Sequence, residues 1–371
     1  MWNESSEQRQ PLRTGLTTGT CATACCVAAS TALLSGAQLK QVRVELPKKN
    51  RKELLSIEDY QIQGDSITAL TIKDAGDDPD VTHGAQVFVT LSLQQNKTVT
   101  FKAGEGVGTV TRSGLSIAVG EPAINPVPRT MMIEHLQRVA KQFDYRGGFV
   151  VCVGVKNGEL LAIKTMNSRL GIEGGLSILG TTGIVRPFSC SAWIASVRQG
   201  IDVAYSNQLH HIAATTGNYS ERAMIKEYNF EPMAIIEMGD FAHVVFKHLH
   251  KAPVKQLSVC GGFGKLTKLA YGHLDLHSRS SSIDFDYLSQ IVSSIGGDAS
   301  LLQQVRNANT SIEVLELCQQ RGLAIADKIC ELAYNTARKK LPDSVQLNVW
   351  AINRHGDFVG HYIPPQWSDA Q

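Results

Sequence analysis

The segment TGLTTGTCATA, residues 14 to 24, sets Thr17, Thr18, Gly19 and Thr20 in a turn that opens a helix. Backbone N–H groups at a helix start lack intrahelical partners, and with neighbouring hydroxyls they can grip a carboxylate or phosphate. A second segment of like composition, Gly180, Thr181, Thr182 and Gly183, lies within SRLGIEGGLSILGTTGIVRP, residues 168 to 187. Two such turns facing one cleft would suit a ligand bearing several carboxylates. The plainer reading is two ordinary helix entries. Neither ends in the Gly-Lys-Ser/Thr of a P-loop, so nucleotide hydrolysis is not indicated. Arg129 follows a proline and Arg186 precedes one. Each can hold a carboxylate through two parallel hydrogen bonds, or stand as an ordinary surface arginine.

A third group of turns follows apolar runs. These are Gly217, Gly239, and the GGFG stretch with Gly261, Gly262 and Gly264. Glycine lets a backbone approach a cofactor closely, and Glu237 and Asp240 stand where an acid can bind the hydroxyls of a ribose. No clean GxGxxG fingerprint is present, so these turns indicate a small-molecule site without naming a cofactor. In GHLDLHS, residues 272 to 278, His273, Asp275 and His277 alternate, and on a strand they would share a face. Metal ligation, polar contacts to a substrate and structural hydrogen bonding all remain open for them. Asp74, Asp77, Asp78 and Asp80 crowd one loop with His83. Their spacing does not fit a calcium-binding EF-hand, and a self-capping solvated turn is expected, or else a polar wall or a cation-assisted contact. No Ser-His-Asp or Cys-His set is legible, which favours a reaction run by positioning.

These residues need elements to hold them. Thr20 to Leu34 reads as a helix of small residues, capped by Gly36. Residues 39 to 101 read as strands, with Val42, Val44 and Leu46, then Ile67, Ala69 and Thr71, then Val87, Val89 and Leu91 in alternation. Residues 102 to 129 show little regular pattern, and a stretch this long is expected to be a functional loop. Residues 131 to 143 form a helix with Ile133, Leu136, Val139 and Ala140 inward. FVVCVGV is a strand, Asn157-Gly158 a hairpin turn and LLAIKTM the returning strand. A helix follows Pro187 and ends at Gly200. Three strand–glycine-turn–helix units then repeat, which predicts a parallel sheet binding ligands at its carboxyl edge. The tail is helical from about 284, with Thr310 and Glu313 as a capping box, and VQLNVWAI is a final strand that returns to a sheet.

The chain is thus expected to be a disordered lead at 1 to 10, an α+β domain with a mostly antiparallel sheet at 11 to 147, and an open parallel α/β domain with a helical tail at 148 to 371. With 371 residues and 43% hydrophobic content, it can bury a sizeable core without staples. Its net charge of +2 and lack of a long basic run argue against nucleic acid. Lys48, Lys49, Arg51 and Lys52 read as a solvated turn. Eight scattered cysteines without a CxxC pair, and a polar MWNESSEQRQ start, predict a reducing cytoplasm. No apolar run is expected to span a membrane.

LRTGLTTGTCATA resembles the N-terminal signature of the cobalt-precorrin-5B C1-methyltransferase family of anaerobic cobalamin biosynthesis. DAGDDPDVTHG, GEGVGTVTRSGL, GEPAINPVPR, RLGIEGGLSILGTTGIVRP and GHLDLHSR resemble it too, in the family's order from residue 12 to about 280. The resemblance implies S-adenosylmethionine as methyl donor and a cobalt-precorrin as acceptor, methylated at ring carbon C1 to give cobalt-precorrin-6A. The cobalt arrives within the substrate, so no protein-bound metal is implied. Leu16 stands where many relatives carry an aromatic residue, and Asn218-Tyr219 where a simpler glycine turn is usual.

On that reading Gly217, Glu237, Gly239, Asp240, Gly261, Gly262 and Gly264 hold the donor. Thr17, Thr18, Gly19, Thr20, Arg129, Gly180, Thr181, Thr182, Gly183, Arg186 and His277 hold the substrate. His273 or Asp275 tunes protonation of the ring, a role drawn from side-chain type. The alternatives are a non-catalytic corrinoid carrier and a phosphoryl-transfer enzyme using the Gly-Thr turns. The sequence leaves open whether copies assemble into a homo-oligomer.

Overall fold

The computed structural model describes residues 11–47 and 51–365. The lead at 1 to 10, and Lys48 and Lys49 of the basic cluster, lie outside them. The chain divides into two compact units, Met1–Cys190 and Ser191–Gln371.

In chain order the first unit contains β1 (Gly15–Leu16), α1 (Thr18–Ser35), β2 (Gln41–Glu45), β3 (Lys52–Ser56), β4 (Asp59–Gln63), β5 (Ser66–Ile72), β6 (Gln86–Gln94), β7 (Val99–Ala103) and β8 (Thr109–Val110). It continues with α2 (Pro126–Gln142), β9 (Gly148–Val155), α3 (Gly158–Ala162), β10 (Ile172–Glu173) and β11 (Ile184–Val185). The main sheet has the order β4-β5-β6-β9-β7, antiparallel except for the β9–β7 pair.

Helix α1 starts because Thr17 stays extended and its hydroxyl accepts the N–H of Thr20. It stops because Gly36 turns left-handed at φ 73°. Between these caps its small side chains are buried on nearly every side. That lets α1 lie close to α2 on one flank and to β5 and β6 on the other. Ile67, Ala69, Val87, Val89 and Leu91, the inward half of the alternating strands, join it in one core. At 18 residues α1 is long and apolar enough to cross a membrane, against the expectation that no run reaches that length. Its burial here is that of a core helix.

Further expectations change in this unit. Strand β9, expected to open the second domain at 148, is flanked by β6 and β7, so the division falls at Cys190/Ser191 instead. For the same reason no hairpin forms at Asn157-Gly158. Both edges of β9 are taken, and the chain turns into α3. The stretch from 102 to 129 is ordered by backbone hydrogen bonds to residues 171–178, among them Gly108 N–H to Leu176 O (2.9 Å) and Ile178 N–H to Ala123 O (2.8 Å). On α2 the inward face is Pro128, Met131, Met132, His135, Leu136 and Val139, with Ile133 and Ala140 only half-buried.

The second unit contains α4 (Cys190–Ser206), β12 (His211–Thr215), α5 (Asn218–Tyr228), β13 (Ile235–Glu237), α6 (Ala242–His248), β14 (Gln256–Gly262) and α7 (Phe263–Ala270). The tail adds α8 (Phe285–Ser294), α9 (Ala299–Arg306), α10 (Ser311–Gln319), α11 (Ile325–Arg338), β15 (Gln346–Ile352) and β16 (Phe358–Tyr362). The sheet order is β13-β12-β14-β15-β16; the first four strands are parallel and β16 is antiparallel. The chain leaves β12 toward β13 and returns across it to β14, so the order reverses between β12 and β14.

Both faces of this sheet are covered. Ile212, Ala214, Leu257 and Val259 pack with α4, α6, α7 and α11, while Ala213, Cys260 and Trp350 pack with Met224 of α5. Helix α4 runs through Gly200, where a stop was expected. A Cβ at Gly200 would stand 3.1 Å from Ile236 Cδ1, so this glycine serves close packing on the sheet. Thr310 caps α10, with Glu313 N–H on Thr310 Oγ1 (3.2 Å), while Glu313 Oε2 accepts the N–H of Asn309 (2.8 Å), one residue before the cap.

Candidate functional site

The two Gly-Thr turns of the first unit meet. Gly15 and Leu16 of β1 pair with Val185 and Ile184 of β11, which lays the turns side by side. Thr17 N–H donates to Gly183 O (3.1 Å), Gly19 N–H to Leu179 O (3.2 Å) and Thr20 Oγ1 to Gly183 O (2.8 Å). Thr18 Oγ1 donates to Leu179 O and accepts from Leu179 N–H. The fit depends on missing side chains. A Cβ at Gly180 would stand 2.3 Å from Thr17 Oγ1, and one at Gly19 2.7 Å from Pro128 Cγ.

Thr17, Thr18, Gly19 and Thr20 are therefore buried, and the N–H groups of Thr17 and Gly19 are spent on carbonyls. The surface of the pair is the outer turn. Thr181, Thr182 and Arg186 are exposed, as is half of Leu179. Arg129 does not reach outward. Its guanidinium donates to Ile124 O (2.8 Å), Pro122 O (3.0 Å) and Glu121 (3.1 Å), and it lies over the Phe101 ring at 5.3 Å. It braces the GEPAINP loop.

The aspartate loop braces the same turns. Leu16 N–H donates to Asp74 O (2.7 Å), and Arg13 exchanges backbone and carboxylate bonds with Asp77. Arg13 is also ion-paired with Asp74. That guanidinium, with the Gly76 N–H, holds the Asp74 carboxyl at about 2. Asp78 accepts the N–H of Phe188 (2.9 Å). Lys73, fully buried, pairs with Asp80 at 2.6 Å. Burial opposes ionisation of Asp80, but Lys73 and Thr82 overcome it and keep its pKa low. Asp74 and Asp77 thus tie the loop to Arg13, Asp78 ties it to Phe188, and Asp80 holds Lys73 and Thr82 nearby, so the aspartates brace the loop rather than form a merely solvated turn. Four aspartates crowd this one loop in the sequence, but nothing local marked Lys73 as the buried partner of Asp80.

In the second unit the glycine turns stand at the carboxyl ends of three neighbouring parallel strands. Thr216-Gly217 follows β12, Glu237 closes β13 with Gly239 after it, and Gly261 and Gly262 close β14. A Cβ at Gly217 or Gly262 would meet nothing within 4 Å, while one at Gly261 would stand 2.8 Å from Thr216 Cγ2. The edge is thus open at two glycines, with a third keeping two turns in close contact. Helix α5 starts here and offers the N–H groups of its first turn. Thr215, wholly buried at the end of β12, has a hydroxyl without a hydrogen-bond partner among the described residues. Glu237 follows Gly217 by about twenty positions, the interval at which an acid meets a ribose beside a glycine turn. Gly264 is turned away into α7, packed against Ser311 Oγ of α10 at 2.7 Å from a Cβ position.

GHLDLHS is a loop, not a strand, so its alternation does not place the three polar side chains on one face. It is tied to the turn after β13 because Leu276 N–H donates to Asp240 O (2.9 Å). Lys268 Nζ and Lys265 Nζ donate to Leu276 O (3.1 and 3.3 Å), and Lys265 is also paired with Asp240. Burial, then the neighbouring Lys265, lowers the pKa of Lys268. Asp275 caps the N–H of His277 (3.1 Å), His277 Nδ1 accepts from Arg279 N–H (3.1 Å), and the His273 ring lies 5.4 Å from that of Tyr271. Among the described residues no three His, Cys, Asp or Glu side chains gather as a metal-ligand set. Burial raises the thiol pKa of Cys260 at the end of β14, so it is no nucleophile at neutral pH. Sequence reasoning passed over Thr215, Thr216, Lys265, Lys268 and Trp193 at this edge, because each is unremarkable among its sequence neighbours.

A family profile described as CbiD matches residues 5–187, and one described as CbiD, C-terminal domain, matches residues 275–362. A cobalt-precorrin-5B C(1)-methyltransferase of Marinomonas sp. (strain MWYL1) is 56% identical over 97% of each chain. Proteins of the same name from Burkholderia lata and Pseudomonas savastanoi pv. phaseolicola are 56% and 55% identical. The alignments cover 97% of this chain in both, with 99% and 97% of theirs. A crystal structure of a cobalamin biosynthesis protein (cbiD) from Archaeoglobus fulgidus is 27% identical, with a TM-score of 0.38, covering 72% of this chain and 83% of that one.

Proposed function

The chain belongs to the CbiD family, and from that membership we propose that it is a cobalt-precorrin-5B C(1)-methyltransferase of cobalamin biosynthesis. The acceptor is the C1 ring carbon, the product cobalt-precorrin-6A and the donor S-adenosylmethionine. When bound, the donor supplies an electrophilic methyl group on a sulfonium. The work left to the protein is binding and alignment, which can lower a bimolecular barrier by about 7 to 11 kcal/mol at best.

The observation that carries the donor assignment is the edge formed by Thr216-Gly217, Glu237 and Gly261-Gly262. Its open glycines admit a ligand backbone to the start of α5, which suits a carboxylate. Glu237 suits ribose hydroxyls. Gly239 belongs to the same edge, and Asp240 supports it through Lys265. The acidic macrocycle is assigned to the outer Gly-Thr turn, where Thr181, Thr182 and Arg186 are exposed and Gly180 and Gly183 rest on Thr17, Thr18, Gly19 and Thr20. His273 or Asp275 sets the protonation of the ring, with His277 as a polar contact. Eight unpaired thiols suit a cytoplasmic setting.

Phosphoryl transfer fits poorly, because the N–H groups that would cradle a phosphate at Thr17 and Gly19 are already bonded to carbonyls. The deciding experiment is to incubate the full chain with S-adenosylmethionine and cobalt-precorrin-5B. The expected product is heavier by one methyl group. Tight corrin binding without methyl transfer would instead make the chain a carrier.

A further inference from the structure

Trp193 lies in the first turn of α4, and its indole meets the turn after β13. A Cβ built on Gly239 would stand 3.3 Å from Nε1 and 3.4 Å from Cε2 and Cζ2 of that ring. Gly239 is left-handed at φ 57°, so a larger residue there would be strained as well as crowded. The indole is 43% exposed, and its N–H has no hydrogen-bond partner among the described residues. The same edge holds Glu237, two residues before Gly239, and the Thr216-Gly217 turn on the neighbouring strand. A large aromatic side chain left half-open at a ligand-binding edge forgoes burial that a core tryptophan would gain.

We propose that Trp193 is the platform on which the adenine of the methyl donor stacks. The inference rests on the donor site placed above at the carboxyl edge of the second unit. A ligand anchored by a carboxylate at the start of α5 and by ribose hydroxyls at Glu237 runs from β12 toward β13, the outer strand of the sheet. Its base then falls beyond β13, where Gly239 and Trp193 stand. A flat purine gains from an offset stack on the indole face. The free indole N–H can donate to a purine nitrogen or a ribose oxygen beside it. Gly239 keeps the ring in place by having no side chain to displace it.

The test uses the full chain and S-adenosylhomocysteine as the probe, with binding followed by calorimetry and by tryptophan emission. Wild type is expected to show a change in emission on binding, and Trp193→Phe to lose most of it. Trp2, Trp350 and Trp367 remain in Trp193→Phe, so the difference in emission change between the two proteins reads Trp193 alone. Trp193→Ala is expected to weaken binding about tenfold, the size of one aromatic stack, with Trp193→Phe between the two. In turnover, KM should rise for the donor and stay constant for the corrin, a split that a merely structural role would not produce. Should Trp193→Ala unfold, Trp193→Phe carries the test alone, through the lost emission change and a weaker donor affinity. Undiminished affinity in the folded Trp193 variants would overturn the proposal. Glu237→Ala separates that outcome from failure of the donor site itself. If it weakens the probe while the Trp193 variants do not, the site stands without the platform; if none of them weakens it, the site is misplaced.

Discussion

Thr20 Oγ1 donates a 2.8 Å hydrogen bond to the carbonyl of Gly183, joining two turns 163 positions apart. The bond lies in the buried interior of the first unit, so it is stronger than an exposed one and costly to break. Thr20→Val keeps the shape and removes the donor. It is expected to cost about 1 to 2 kcal/mol in urea unfolding and to raise KM for the corrin, while Thr20→Ser restores both. A Thr20→Val protein with unchanged stability and KM would detach this bond from the site.

At the other edge, Gly261→Ala places a methyl 2.8 Å from Thr216 Cγ2. The Thr216-Gly217 turn must shift to admit it. The expected result is a loss of about tenfold in kcat/KM for the donor, as a small misplacement produces, with the corrin KM unaltered. Steady-state kinetics with each substrate varied in turn measures this.

Lys73 and Asp80 form a buried pair, and removing one member strands the other. Lys73→Met is expected to destabilise the protein by about 3 kcal/mol, and Lys73→Met with Asp80→Asn by less, since no charge is then left alone. Denaturant unfolding of the single and double variants tests the sign of that difference.

His211 touches the rings of Tyr228 and Phe230 at 4.8 and 4.6 Å, and its Nε2 lies 2.7 Å from Ser258 Oγ. Burial lowers its pKa from 6.5 to about 4. The folded state therefore holds a neutral ring while the unfolded chain takes up a proton below 6.5. The stabilisation is complete above about pH 6.5 and is lost as pH falls through about 4, to roughly 3 kcal/mol at most. His211→Phe should flatten that part of the stability profile relative to wild type. Parallel profiles for the two proteins would rule it out.

Phe188 has φ 54° with its ring 70% exposed, the only apolar side chain among the non-glycine residues of positive φ in the described residues. Left-handed backbone costs such a residue about 1 to 2 kcal/mol. Phe188→Gly removes that cost and forfeits little burial. It is expected to melt no lower than wild type, and above Phe188→Ala, which keeps the strain. The order of the three melting temperatures checks it.

Much of this was legible because it depends on near neighbours in the chain. Thr17 and Gly36 announce the two ends of α1, and Thr310 with Glu313 announces α10. The alternation of Val87, Val89 and Leu91 turns one face of β6 inward. Glycine after each apolar run marks the strand-end turns at Gly217, Gly239 and Gly261. The site residues were readable as types for the same reason, though not their orientation. Arg129 looks like a free arm in sequence and is a brace in space. His273, Asp275 and His277 alternate in sequence but sit on a loop, because their backbone is tied to Asp240 and to lysines on α7.

Local signals act over a few residues, through caps, φ preferences and side-chain period. That range suffices for which segments are helix, strand or turn, and for the family the motifs belong to. It does not reach the choice of neighbour. FVVCVGV is a strand on any reading, but only the closing of the first core put it between β6 and β7 and so left Asn157-Gly158 no edge for a hairpin. The burial of Thr17 and Thr20 under the outer Gly-Thr turn, the pairing of Lys73 with Asp80 and the approach of Trp193 to Gly239 were decided in the same way. Each joins segments far apart in the chain, so its energy is gained only once the tertiary fold has brought both partners together.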